Sequence, residues 1–125
     1  MRKSIEVAGY KHGNPIPAAS RIGNLVMSGV ISAKNAQTGK VPETLAEQCT
    51  AMFANVKAIV EAAGGSPDNI LKMTVWLRDL SDREALNKEW QQMFPDPAAR
   101  PARHALLHQG DPLNLIMCDF IAVID

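Results

Sequence analysis

A chain of 125 residues fits one domain, residues 1–125, and is long enough to bury a real core. Apolar residues make up 46% of it, which excludes a disordered chain. Lys plus Arg and Asp plus Glu number 13 each, and this balance argues against a broad phosphate-binding face and so against nucleic acid as a partner.

Arg2-Lys3 is followed by no long apolar run, so no signal peptide is expected. No stretch reaches the roughly 20 apolar residues that a membrane span needs. The expectation is a cytoplasmic protein without membrane attachment. Residues 3–8 read as a short edge strand. Residues 9–20, with Gly9, Gly13, Asn14-Pro15 and Pro17, read as a loop. The apolar run Leu25 to Ser32, broken by Ser28-Gly29, has the length of a strand.

Thr44 begins a helix, with Glu47 three residues on as a capping box. Leu45, Cys49, Met52, Phe53, Val56, Ile59, Val60 and Ala63 follow helical spacing, and Gly64-Gly65 is the stop. Ile70 to Leu77 is the next strand, with Leu71, Met73, Val75 and Leu77 on one face. Ser81 opens a second helix, capped through Glu84, with Leu86, Trp90, Met93 and Phe94 as its apolar stripe. Strands follow at about 103–108 and 114–124, joined by Gly110-Asp111-Pro112. Cys49 and Cys118 sit in different elements without metal or redox spacing, and read as buried thiols.

The resulting order is β-β-α-β-α-β-β, an α+β sheet with both helices on one face. The other face is then uncovered, although the last strand is apolar on both sides apart from Asp119. Apolar area left in water costs about 25 cal/mol per Å². Another copy of the chain is the simplest cover, so a homo-oligomer packed through its sheets is expected.

The segment Arg100-Pro101-Ala102-Arg103 carries the clearest chemistry. Pro101 fixes the entry to the strand, and Arg103 is then presented from a rigid element. A guanidinium held this way fits a carboxylate through two parallel hydrogen bonds. An arginine paired with an acid at a subunit boundary would read the same way. Asp119, on an apolar face, must be paired, hydrated or raised in pKa. His104 and His108 share a strand face, but four residues span about 13 Å, too far for one metal.

Gly23-Asn24-Leu25, Ser28-Gly29, Thr38-Gly39, Asn55 to Gly64, Thr74-Val75, Leu86-Asn87 and Arg100 to Arg103 together resemble the Rid (YjgF-type) reactive-intermediate deaminase family. The resemblance runs from about residue 14 to residue 124. It implies a chorismate-mutase-like fold and a homotrimer whose three sheets form a central barrel, with sites in the clefts between subunits. It also implies hydrolysis of enamines or imines derived from amino acids, releasing ammonia and a keto acid without a cofactor. Arg103 takes the place of the family's carboxylate-binding arginine. Ser28, Gly29 and Asn87 match residues that line its cleft.

Three positions depart from the family pattern. Ile16 stands where the family has a tyrosine, Ala105 where it has a cysteine, and Met117 where it has the acid assigned to positioning water. Asp119, two residues along on the same face, is the acid that could take over that task. One branch of the family acts on 2-aminomuconate, an enamine with two carboxylates. The reading is therefore a deaminase with Arg103 and Asp119 as catalytic residues. Ser28, Gly29, Asn87, Ile16, Ala105 and Met117 would surround the substrate. A non-catalytic module that binds small carboxylates is the alternative, and an endoribonuclease or translation inhibitor is the third reading.

Overall fold

The computed structural model describes residues 1–125. Its elements are β1 (Lys3–Ile5), β2 (Ala19–Ile22), β3 (Leu25–Ser28), α1 (Leu45–Ala62), β4 (Ile70–Leu77), α2 (Glu84–Met93), β5 (Ala102–Leu107) and β6 (Ile116–Val123). The six strands form one mixed sheet in the order β1-β2-β3-β6-β4-β5. Only β4 and β5 are parallel neighbours. The fold is the expected α+β arrangement with two helices, and it contains one more strand than expected.

That strand, β2, lies inside the stretch read as a loop. It pairs with β1 on one side and β3 on the other. Gly23, at φ 56°, and Asn24 make the two-residue turn into β3. The Gly-Asn pair between two short apolar runs was the signal for it. β1 is shorter than 3–8 because the chain leaves the sheet from Glu6 onward.

β3 also ends early, at Ser28. Met27 pairs with Ile121, yet Ile31 is the residue that bridges to Cys118. Four residues on one strand therefore oppose three on the other, which is a bulge. The Ser28 hydroxyl accepts the Phe120 N–H at 2.9 Å, and the Gly29 N–H turns away to the Ala18 carbonyl.

Thr44 caps α1 as expected, its hydroxyl accepting from the Glu47 N–H, but the reciprocal half of the capping box is not made because the Glu47 carboxylate takes the Thr44 hydroxyl at 2.8 Å instead. The helix ends in a Schellman motif. The Gly65 N–H reaches the Val60 carbonyl, the Gly64 N–H reaches Glu61, and Gly64 holds φ 98°. The second capping box does not form. α2 starts at Glu84, while Ser81 turns back to Asp79 with bonds of 2.6 and 3.0 Å. Asp79 is the better partner because it closes a two-residue Asx turn before the helix can begin.

The core lies between the helices and one face of the sheet. Met52, Phe53, Val56 and Ile59 of α1 and Leu86 and Trp90 of α2 are buried with Val26, Met73, Val75, Cys118 and Phe120. A register shift between Ile70 and Lys72 corrects the reading of β4. Ile70 joins the core, and Leu71 turns outward to 63% exposure instead of siding with Met73. The opposite face carries Met27, Thr74, Trp76, Met117, Asp119 and Ile121 with no helix over it. No helix is long and apolar enough to cross a membrane. Both thiols are buried, and burial pushes the Cys49 pKa up to about 12.

Candidate functional site

Arg103 is the second residue of β5, on the sheet face that meets the helices. Its backbone is in register with Met73 of the core. The β4-α2-β5 crossover lays α2 beside it. From that helix Asn87 accepts a 2.9 Å hydrogen bond from Arg103 Nη2. Trp90, nearly one turn further on, places its ring 4.9 Å from the guanidinium carbon. Phe94 braces the indole edge-on at 4.8 Å. Arg103 is thus stacked and tethered before any ligand arrives.

No acid neutralises it. Nη1 is buried without a hydrogen-bonding partner, and Asn87 is the only side chain that bonds the guanidinium. Burial and the positive charge of Arg83 both push its pKa down, and no carboxylate pulls it back up. A half-buried cation in this state is a ready seat for an anion. Asn87, exposed and in mid-helix, would look from sequence alone like a solvent-facing residue. Its contact with Arg103 depends on the crossover.

The other expected residues divide into separate places. Ala105 follows Arg103 on the same strand face, in register with Val75. Asp119 and Met117 lie on the opposite, helix-free face, in register with Thr74 and Trp76. Asp119 lines a cavity of about 110 Å³ with Ser28, Met27, Lys72, Thr74 and Ile121. Burial raises its carboxyl pKa, while Thr74 and Lys72 pull it down. Ile16 is 50% exposed in the loop between β1 and β2.

Within one chain, then, Arg103 and Asn87 form one group and Ser28 and Asp119 another. β6 and β4 separate β3 from β5, so three strand spacings, about 14 Å, lie between Ser28 and Arg103. Gly29 has room to spare. Its φ is ordinary, and an added Cβ would meet nothing nearer than 3.8 Å. Packing within the chain does not demand a glycine there.

Residues missed by sequence reasoning hold the frame. Gln48, 1% exposed, donates to the carbonyls of Pro42 and Leu113 and accepts the Leu115 N–H. Asn55 donates to the Ser32 and Lys34 carbonyls beyond the bulge. Both sit on the buried stripe of α1, where their partners come from distant loops and leave no local signal.

The family model described as Endoribonuclease L-PSP matches residues 14–108. A RutC family protein of Aquifex aeolicus is 38% identical over 92 residues, 74% of this chain and 73% of that protein. The 2-iminobutanoate/2-iminopropanoate deaminase of Escherichia coli K12 is 39% identical over 83 residues, 66% of this chain and 65% of the relative. The crystal structure of E. coli TdcF with bound serine superposes with a TM-score of 0.89 at 30% identity, covering 98% of this chain and 99% of that one. The matched span includes Ser28-Gly29, Asn87 and Arg103, the residues that carried the resemblance. The chain therefore belongs to the endoribonuclease L-PSP family, the Rid (YjgF-type) family, and has its chorismate-mutase-like fold.

Proposed function

We propose that the protein hydrolyses small imines and enamines bearing a carboxylate, releasing ammonia and a keto acid. One observation carries the reading. Arg103 is stacked on Trp90, bonded to Asn87, and has no acid partner. Water adds to the imine carbon with one of its protons going to nitrogen, and the resulting carbinolamine loses its C–N bond as the hydroxyl proton follows, so that ammonia departs with both protons of that water. Arg103 holds the substrate carboxylate and so fixes where the C=N carbon lies. Asp119 takes the proton from the attacking water. Its raised pKa suits a group that must accept and then return a proton. An enamine enters by protonation at carbon, and 2-aminomuconate is one substrate of this class.

The active unit is a homotrimer with the three open sheet faces turned inward. The apolar Met27, Leu71 and Val123, exposed on each chain, favour this burial. The Arg103 and Asn87 of one copy would then face the Ser28 and Asp119 of the next across a cleft, with Ile16, Ala105 and Met117 at its walls. The open backbone at Gly29 is available to a ligand or a neighbouring copy.

The test is ammonia release from an imine made in situ by an amino-acid oxidase. Wild type accelerates it and Arg103→Ala loses at least tenfold in kcat/KM. Equal activity of the two removes Arg103 from the site. A binding module is the second reading, favoured because Ile16, Ala105 and Met117 carry no titratable group. It predicts stabilisation of the wild type by small carboxylates, lost in Arg103→Ala, with no turnover. The family description also names an endoribonuclease. A formal net charge of zero supports that reading poorly, and RNA cleavage surviving Arg103→Ala in a nuclease-free preparation would support it.

A further inference from the structure

Asn87 and Trp90, the two residues that hold Arg103, share one stripe of α2 at positions i and i+3. Arg83 stands one turn earlier at the head of the same stripe, and its carbonyl accepts the Asn87 N–H. Its own guanidinium is anchored, because Nε donates to the Leu80 carbonyl at 2.8 Å. Two guanidinium groups are therefore anchored along α2, Arg83 at its head and Arg103 against Asn87 one turn on.

The acids nearby are engaged elsewhere. Asp79 is committed to Ser81. Asp82, Glu84 and Glu89 line the groove on the other flank of α2, facing Leu45 and Thr50 of α1. The three carboxylates thus gather on the α1 side, where Lys88 joins them, and away from the arginines of the site. Arg103 feels Arg83 as its charged neighbour. A ligand with one carboxylate neutralises only one of the two cations. A ligand with two negative groups neutralises both, and a site that keeps two like charges together favours it.

We propose that Arg83 is a second anion contact of this site and selects imines and enamines that carry a second carboxylate. The proposal rests on the deaminase reading above and adds the substrate class and the residue that reads it.

The experiment compares 2-iminoglutarate with 2-iminobutanoate, each made in situ by an amino-acid oxidase. Wild type has the higher kcat/KM for the dicarboxylate. Arg83→Gln lowers the ratio of the two kcat/KM values by about fivefold or more, the upper end for an exposed ion pair. Arg83→Lys, which keeps the charge, recovers part of it. A smaller change in the ratio overturns the proposal. So does an equal fall for both substrates, which would make Arg83 a structural residue only. If wild type turns over neither imine, the deaminase reading fails, and calorimetry with glutarate and butyrate decides the second contact separately. The same fivefold fall in relative affinity in Arg83→Gln supports it. An unchanged ratio, or no glutarate binding, overturns it.

Discussion

Replacing Gln48 by methionine keeps the volume of a fully buried side chain and removes its hydrogen bonds. Three backbone groups then lose their partners: the carbonyls of Pro42 and Leu113 and the N–H of Leu115. Each bond is worth about 1 kcal/mol net, and a buried group left unsatisfied costs about 1–3 kcal/mol. Three of them total about 3 kcal/mol at the lower end, a large part of the roughly 5–15 kcal/mol that holds a domain together. With a urea slope of about 2 kcal/mol/M, the unfolding midpoint falls by about 1.5 M.

The assay is equilibrium urea unfolding at one fixed protomer concentration, because assembly would shift the midpoint. Gln48→Glu provides a second measurement with a sign. One oxygen can still accept from Leu115, but the other faces two carbonyls and must carry a proton. The folded pKa of that carboxyl is therefore raised above the unfolded value of about 4.3. Below the unfolded pKa both states are protonated and the variant is at its most stable. Stability falls as pH rises from there and levels off above the folded pKa. A Gln48→Met midpoint within about 0.3 M of wild type, or a Gln48→Glu variant with no added pH dependence, would refute the reasoning.

Three further outcomes follow from the same geometry. Asn87→Ala frees the Arg103 guanidinium, so KM for a carboxylate substrate rises about fivefold, the equivalent of one hydrogen bond of about 1 kcal/mol net. Its thermal midpoint stays within a degree or two of wild type, since Asn87 is exposed, and an unmoved KM would show that the tether is dispensable. Gly9→Ala places a Cβ 2.7 Å from the Ala36 carbonyl oxygen at φ 79°, which costs about 1–2 kcal/mol for the left-handed backbone alone. Gly13→Ala, where a Cβ meets nothing within 4 Å, is its control, and equal thermal midpoints for the two would contradict the loop packing. Leu71→Asp puts a charge on the open sheet face and should yield a monomer by light scattering, with activity lost although Arg103 and Asn87 are untouched. An active monomer would place the whole site within one chain.

Much of the fold was legible because it rests on local rules. Thr44 and the Gly64-Gly65 pair bracket α1 through bonds made within one or two turns. The continuous apolar run of β6, broken only at Asp119, marks both of its faces as apolar. The errors fall where partners are remote or where two local rules compete for one residue. β2 is a strand because β1 and β3 flank it, the Ile70/Lys72 irregularity reverses Leu71, and Asp79 takes Ser81 from the helix cap.

The same division governs the site. By itself the sequence determined that an arginine enters a strand behind a proline, that the chain belongs with a deaminase-bearing family, and that one sheet face is apolar and uncovered. Only the tertiary structure decided that Asn87 and Trp90 hold Arg103, that Arg83 rather than an acid is its charged neighbour, and that Ser28 lies three strand spacings away and Asp119 two, on the opposite face. The reason is physical. Caps, turns and periodicity follow from a residue and its near neighbours, whereas the surroundings of a charge depend on which distant elements the crossovers bring against it.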